Sequence, residues 1–439
     1  MADCFVHASD LHLDAPLGSL GLLDDEHQRQ LADRSTRAWG NLVQLCIDES
    51  ASFLVLAGDI FDRAIAEVGV QLSFHRGLQR LREANVRVFV SHGNHDPLSA
   101  DFHPIGALPD NVVRFEPGEP QIHTVTLRES REPVLVSGIS FAHQHESANL
   151  AVRFHTLVRP PGTDDAPHVA VLHANVGGNP GHDPYAPCAY DDLDAATVDY
   201  WALGHIHQRD VRRLPGGGWA AYCGNLQGRS FKPSERGRKG ALVVPVEHGR
   251  IGEPRFEPCD EVRFVHDDIA VRPEETSDDI AETLTLEAAK RGSEHAPRAV
   301  AWRVRLTGRS DDALRLRTAV DSGELAGKLA DELAERLGGG GLCHIEASVH
   351  SAISRESVLA GDDLRADVLH ALEQWRGGAG QPDVDMDDLR NVLLEGLPSA
   401  LHGLWEQALE NAPSRLDDVV ELAEELLLSI YAESATGAQ

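Results

Sequence analysis

Five short motifs, each closing a strand-like run, constrain this chain more than any other feature. They are Asp10-Leu11-His12, Gly58-Asp59, Gly93-Asn94-His95-Asp96, His173 and Gly204-His205-Ile206-His207. The runs before them are Phe5-Val6-His7, Phe53-Leu54-Val55-Leu56, Val86-Arg87-Val88-Phe89-Val90, Val169-Ala170-Val171-Leu172 and Tyr200-Trp201-Ala202-Leu203. Open α/β sheets gather ligands at the C-terminal ends of their strands, where loops converge. Seven residues there, Asp10, His12, Asp59, Asn94, His173, His205 and His207, offer carboxylate, imidazole and amide donors. Those are ligand types for a pair of divalent cations, and such a pair can clamp both oxygens of an in-line displacement at phosphorus. One DxH or HxH means little, but the ordered set is specific.

Spacing sorts the set. Asp10 and His12 stand two apart, so in an extended segment both point to one side and grip one cation. Gly58 lets the backbone come close to the metals, and Asp59, with two oxygens, is the natural bridge between them. Asn94 suits Mn2+, Mg2+ or Fe2+ better than a soft metal. The set holds no cysteine, which argues against structural zinc. His205 and His207 can be sent to different metals by the bend of a strand-end loop.

His95 reads as a catalytic group and not a ligand. Its side chain diverges from that of Asn94 and can face the leaving-group oxygen, donating a proton or stabilising charge. Asp96 reads as the carboxylate that orients His95. Asp62 is either a further site carboxylate or a helix-start cap. The glycine-rich loop from Asn175 to Tyr185 either contacts substrate, with Tyr185 stacking or meeting phosphate, or is a plain turn. The basic stretch Arg229, Lys232, Arg236, Arg238 and Lys239 contains one acid, Glu235. It either meets a phosphate backbone or is a solvated loop.

A length of 439 residues leaves room for two or three domains. Residues 1–258 alternate strands with helices at about 25–50 and 67–84, the pattern of parallel strands covered by helices. Later strands lack long helices between them and predict an added antiparallel portion. Together they give an α/β, two-sheet sandwich flanked by helices. Residues 259–352 read as a small α/β domain: strand 262–265, helix 277–291, strand 299–306, one long helix from Ser310, a break at Gly338-Gly339-Gly340-Gly341, and a strand at 342–350. Residues 353–439 read as helical. The last helix, capped by Ser414, carries Leu416, Val419, Val420, Ala423, Leu426, Leu427 and Ile430 on one face, to pack on its own core or on a partner.

No run of 18 apolar residues exists, so no membrane span is expected. The chain enters a strand at Cys4, which leaves no room for a signal peptide. Six cysteines without a CxxC pair read as reduced and cytoplasmic. The net charge of -30 repels nucleic acid at long range. Bound cations and the basic stretch offset that repulsion locally. HExxH, GxSxG and Walker A motifs are missing, so no ATP hydrolysis is expected of the chain alone.

In this order, DxH, GD, GNHD, a lone His and GHxH resemble the calcineurin-like metallophosphoesterases, over about the first 245 residues. Within that superfamily, Ala8-Ser9-Asp10-Leu11-His12-Leu13-Asp14 and Ala57-Gly58-Asp59-Ile60-Phe61-Asp62 resemble the SbcD-like DNA-repair exonuclease branch. Leu172-His173-Ala174-Asn175-Val176-Gly177-Gly178 and Tyr222-Cys223-Gly224-Asn225-Leu226-Gln227-Gly228-Arg229 are similar to its YhaO-like subgroup. The resemblance implies a Mn2+-dependent nuclease acting on DNA, a capping domain behind the catalytic one, a C-terminal helical region that engages an SMC-like ATPase, and a homodimer. It also implies one metal on Asp10, His12, Asp59 and His207, a second on Asp59, Asn94, His173 and His205, and His95 as the catalytic histidine. The expected reaction is attack of a metal-bridging water on phosphorus while His95 assists the leaving oxygen. Two other functions stay open: a phosphatase or phosphodiesterase on small nucleotides or phosphoproteins, which suits the net charge, and a scaffold for the ATPase.

Overall fold

The chain order in the computed structural model opens β1 (Asp3–Ala8), α1 (Arg34–Asp48), β2 (Phe53–Ala57), α2 (Val68–Glu83), β3 (Arg87–Ser91) and β4 (Val112–Arg114). It continues β5 (Gln121–Thr126), β6 (Pro133–Gly138), β7 (His168–His173), α3 (Tyr190–Asp194), β8 (Tyr200–Gly204), β9 (Asp210–Arg213), β10 (Trp219–Tyr222) and β11 (Gly240–Glu247). After these come β12 (Arg250–Ile251), β13 (Arg255–Pro258), β14 (Val262–Val271), α4 (Ser277–His295) and β15 (Ala299–Ser310). Last are α5 (Ala313–Asp321), α6 (Glu324–Arg336), β16 (Gly341–Ser351) and α7 (Arg355–Leu359). The structure describes residues 3–15, 33–62, 67–98, 107–178, 183–352, 355–360 and 370. The helix expected from Ser414, nearly all of the region placed at 353–439, and the start of the helix expected at 25–50 lie outside the described residues.

Alternating side chains build the sandwich. In β1, β2 and β3, Val6, Ala8, Leu54, Leu56, Val88 and Val90 face Trp39 and Leu42 of α1 and Leu78 and Leu81 of α2. The intervening Phe5, Phe53, Val55 and Phe89 face the other way, against Val136, Val169, Val171, Tyr200 and Ala202 of the second sheet. This period of two is what a strand buried on both faces requires. Phe5 stacks on Phe53 at 4.8 Å and meets the edge of Tyr200 at 5.2 Å; each such buried ring contributes about 1.5–3 kcal/mol. On the outer face, α2 approaches α1 closely at Gly77, where a Cβ would collide with the Trp39 indole.

The first sheet runs β12-β11-β1-β2-β3-β4, with β13 also on β11. Its β1, β2, β3 and β4 are parallel, and β11 lies antiparallel to β1. The second runs β5-β6-β7-β8-β10-β9. The expected antiparallel portion is found in β11, β12 and β13 of the first sheet but only at the edges of the second. The strands β6, β7, β8 and β10 are parallel, and only the edge strands β5 and β9 pair antiparallel. The crossovers use a 3-10 turn at Ala151–Thr156 and the five-residue α3, too short to show a helical period.

A third sheet has the order β14-β15-β16. The long helix expected from Ser310 is two helices. Gly323 takes φ 75 after α5, the left-handed position where glycine ends a helix. The chain divides into two compact units. The first comprises Met1–His266, Lys290–Arg303 and Ala334–Cys343, and the second comprises Asp267–Ala289, Val304–Leu333 and the residues from His344. Every candidate ligand falls in the first. Among the described residues no helix is long and apolar enough to cross a membrane, and all six cysteines are unpaired and buried.

Candidate metal centre

The strand ends meet through strained backbone. Asp10 (φ 51), His12 (φ 41), Asp59 (φ 51) and His205 (φ 97) all sit in the left-handed region, which costs a non-glycine residue about 1–3 kcal/mol. Hydrogen bonds hold the turns: Asp10 N–H to the Gly58 carbonyl at 3.1 Å, His12 N–H to the Asp59 carbonyl at 3.1 Å, and Leu13 N–H to the Ile60 carbonyl at 3.0 Å. The extended Asp10–His12 segment assumed from spacing is therefore replaced by two turns zipped to the end of β2. Gly58 does admit a close approach, but to the His173 ring, with which a Cβ at 58 would collide.

In the first pocket, Nε2 of His12 and Nε2 of His207 face each other at 3.2 Å. The other ring nitrogens are tied to carboxylates. His12 Nδ1 lies 3.0 Å from Asp62 Oδ1, and His207 Nδ1 lies 2.6 Å from Glu235 Oε1. Asp10 Oδ1 is 4.0 Å from His207 Nε2. Burial would raise the Asp10 pKa, yet His173, His207 and His12 and the Ser9 hydroxyl hold it below the ordinary range. Burial pushes His12 down and outweighs its acidic neighbours. Burial opposes charge on His207 too, but Glu235 and Asp10 pull its pKa up. Two nitrogens aimed at one point, beside a fully buried carboxylate, suit a cation that displaces the proton between them. The donor set fits a metal.

In the second pocket the rings hang on backbone. His173 Nδ1 meets the Ala57 carbonyl at 3.0 Å, and His205 Nε2 meets the Asp183 carbonyl at 2.9 Å. His173 Nε2 then faces Asn94 Oδ1 at 3.0 Å and Asp59 Oδ2 at 3.4 Å. The His205 ring lies 5.3 Å from that of His173. Asp10, Asp59 and His173 form one convergent cluster, as do Asp10, His12 and His207. Asp10 as well as Asp59 thus stands between the pockets.

His95 lies at the rim with its side chain 37% exposed. Its N–H donates to Asp59 Oδ1 at 2.9 Å, and its Nδ1 meets the Asp62 carbonyl at 3.1 Å and the Asp62 carboxylate at 3.5 Å. Asp96 does other work. Its carboxylate accepts the Gly93 and Ile60 N–H groups at 3.0 and 2.9 Å and pairs with His92, pinning the Asn94 turn to the Asp59 turn. Asp62, not Asp96, is the carboxylate beside His95. His12, Asp62 and His95 also converge, but the Arg229 guanidinium stands 3.0 Å from Asp62 Oδ1. The positive charge at that point is thus protein-borne. Burial alone would raise the Asp62 pKa; His12, Arg229 and His95 hold it far below the usual range.

The expected substrate contacts separate. Tyr185 lies edge-on to His205 at 5.5 Å, and residues 179–182 of its loop lie outside the described residues. Arg229 reaches the site through Asp62. Arg236 is turned onto the Phe231 carbonyl at 2.6 Å, Lys232 and Arg238 are exposed, and Lys239 is buried with Nζ on the His207 carbonyl at 2.7 Å. No motif singles out Ser9, whose hydroxyl donates to Asp10 Oδ2 at 2.6 Å. None singles out Glu235 either, the one opposing charge of the basic stretch. A single acid in a basic stretch was the available signal.

Residues 5–209 match the calcineurin-like phosphoesterase family profile, and all seven candidate ligands fall within that span. The likeness to calcineurin-like metallophosphoesterases, a family that works with a dinuclear metal centre, thus lies in this part of the chain. It is 35% identical over 248 residues to the Bacillus subtilis protein described as uncharacterized metallophosphoesterase YhaO, covering 56% of this chain and 58% of that one. It is 22% identical over 255 residues to the DNA double-strand break repair protein Mre11 of Thermoplasma acidophilum, covering 57% and 64%. The chain thus spans less than two thirds of either relative. A dimetal phosphatase from Danio rerio matches 57% of this chain and 94% of its own at 11% identity, with a TM-score of 0.35.

Proposed function

We propose that this chain is a dinuclear, Mn2+-dependent phosphodiesterase that cuts DNA. The observation that carries the reading is the convergence of Asp10, His12, Asp59, His173 and His207 from four strand ends, with Asn94 and His205 beside His173 and His95 at the rim. Asp10, His12, Asp59 and His207 would hold one cation, and Asp59, Asn94, His173 and His205 the other. When bound, the two cations supply Lewis acidity and a nucleophile at neutral pH.

The chain's own groups do the rest. With Nδ1–H on Asp62, the His95 ring in its imidazolium form has Nε2–H left to meet the departing sugar oxygen and hand it that proton. The Arg229 guanidinium, held by Asp62, neutralises phosphate charge, and Tyr185 stands beside His205. Similarity to a protein named for DNA double-strand break repair supports DNA as substrate. On the same reading, residues 259–352 cap the catalytic part, residues 353–439 engage an SMC-like ATPase, and the assembly is a homodimer.

End-labelled duplex and single-stranded DNA, incubated with and without Mn2+, test the proposal. Mn2+-dependent cleavage that disappears in His95→Gln is expected. Intact DNA alongside Mn2+-dependent hydrolysis of a small chromogenic diester would move the assignment to a small-substrate phosphodiesterase, which the net charge of -30 favours.

A further inference from the structure

We infer that Glu235 is a positioning residue that aims the His207 ring into the first pocket and ties it to Arg229. The inference rests on the dinuclear reading above. Glu235 is 6% exposed and ends a 3-10 turn, Pro233–Glu235. Its two oxygens take three donors: His207 Nδ1–H at 2.6 Å on Oε1, and Asn225 Nδ2–H at 2.7 Å and Arg229 N–H at 3.0 Å on Oε2. A glutamine of the same shape must turn an N–H toward at least one of those donors, so only a carboxylate satisfies all three.

Holding the proton on Nδ1 leaves Nε2 to bind a cation, and a carboxylate partner makes that nitrogen a stronger ligand. The same strap grips His207 a second time, where Lys239 Nζ donates to its backbone carbonyl at 2.7 Å. Arg229 closes the arrangement. Its backbone N–H sits on Glu235, and its guanidinium sits 3.0 Å from Asp62, the carboxylate against His12. Both carboxylates that orient first-pocket histidines therefore meet one arginine. Loss of Glu235 should disturb metal affinity and anion binding together.

The test is Mn2+ titration of the metal-free full chain by calorimetry, with free Mn2+ followed by electron paramagnetic resonance. Wild type should bind two ions. Glu235→Gln should weaken one site roughly 10–100-fold and leave the other within about twofold. At saturating Mn2+ the variant should need more inorganic phosphate for inhibition, and its activity should return. Thermal melts show whether the variant is folded. If it is not, Glu235→Asp, which keeps the charge but falls short of His207, takes its place with the same expectation. Two unchanged sites in a folded variant would overturn the role of Glu235 and leave the dinuclear centre standing. No Mn2+ binding by wild type would instead bring down the dinuclear reading, and this inference with it.

Discussion

The two pockets hold their histidines by different means. In the first, Asp62 and Glu235 stand against the Nδ1 atoms of His12 and His207 at 3.0 and 2.6 Å. In the second, the carbonyls of Ala57 and Asp183 take ring nitrogens of His173 and His205 at 3.0 and 2.9 Å. A carboxylate partner strengthens a ligand but can be lost by one substitution. A carbonyl cannot be substituted away, yet it demands close packing. Glycines at 58, 93 and 204 provide that closeness: a Cβ at each would collide with His173, with Asp59 or with the Ala57 carbonyl. The first pocket is thus sensitive to charge and the second to volume.

The largest effect should erase the distinction. Asp59→Asn weakens a carboxylate shared by both pockets, so calorimetry should show both Mn2+ sites lost and activity at background. His95→Gln should spare both pockets while lowering kcat about 10²–10⁴-fold; a fall in Mn2+ affinity would make His95 a ligand.

Next come substitutions aimed at one pocket each. Asp62→Asn should cost the first site roughly 10–100-fold in Mn2+ affinity. Gly58→Ala, whose Cβ would meet the His173 side chain at all its nearest contacts, should cost the second a similar factor, since overpacking of about 1–3 kcal/mol converts to that range. Equal effects of either variant on both sites would break the comparison.

The smallest effect concerns pH. Burial holds the His168 pKa down to about 4, from an ordinary 6.5. Its neutral form therefore favours the fold above pH 6.5, and stability falls as pH drops from there toward 4. Glu235, which burial would raise but His207 holds at about 2, stays ionised through that window. Acid should thus loosen the sheets before the Glu235 clamp. His168→Gln should flatten the loss between pH 6.5 and 4 by on the order of 3 kcal/mol, read from urea melts.

Much of this was legible in the sequence because it is local. Runs such as Phe53-Leu54-Val55-Leu56 announce strands buried on both faces, and a ligand-type residue just past each run announces a strand-end site. What stayed hidden depends on distant partners. Nothing near Glu235 shows that it meets a ring 28 residues earlier. Asp96 and Asp62 are equally acidic on paper, and only the fold decides which meets backbone and which meets His95. The parallel centre of the second sheet was missed because a five-residue α3 leaves no periodic trace.

The turns at Asp10 and Asp59 have a consequence for how the molecule assembles. Their hydrogen bonds, Asp10 to Gly58, His12 to Asp59 and Leu13 to Ile60, join the exits of two strands that are parallel and far apart in the chain. Contacts of that range form slowly. No fragment containing β1 alone can present a ready first pocket, because the turn that shapes it is supplied by β2. Ion capture is then a clock for folding: in a refolding experiment, Mn2+ uptake should trail the return of secondary structure and keep time with the docking of β1 on β2.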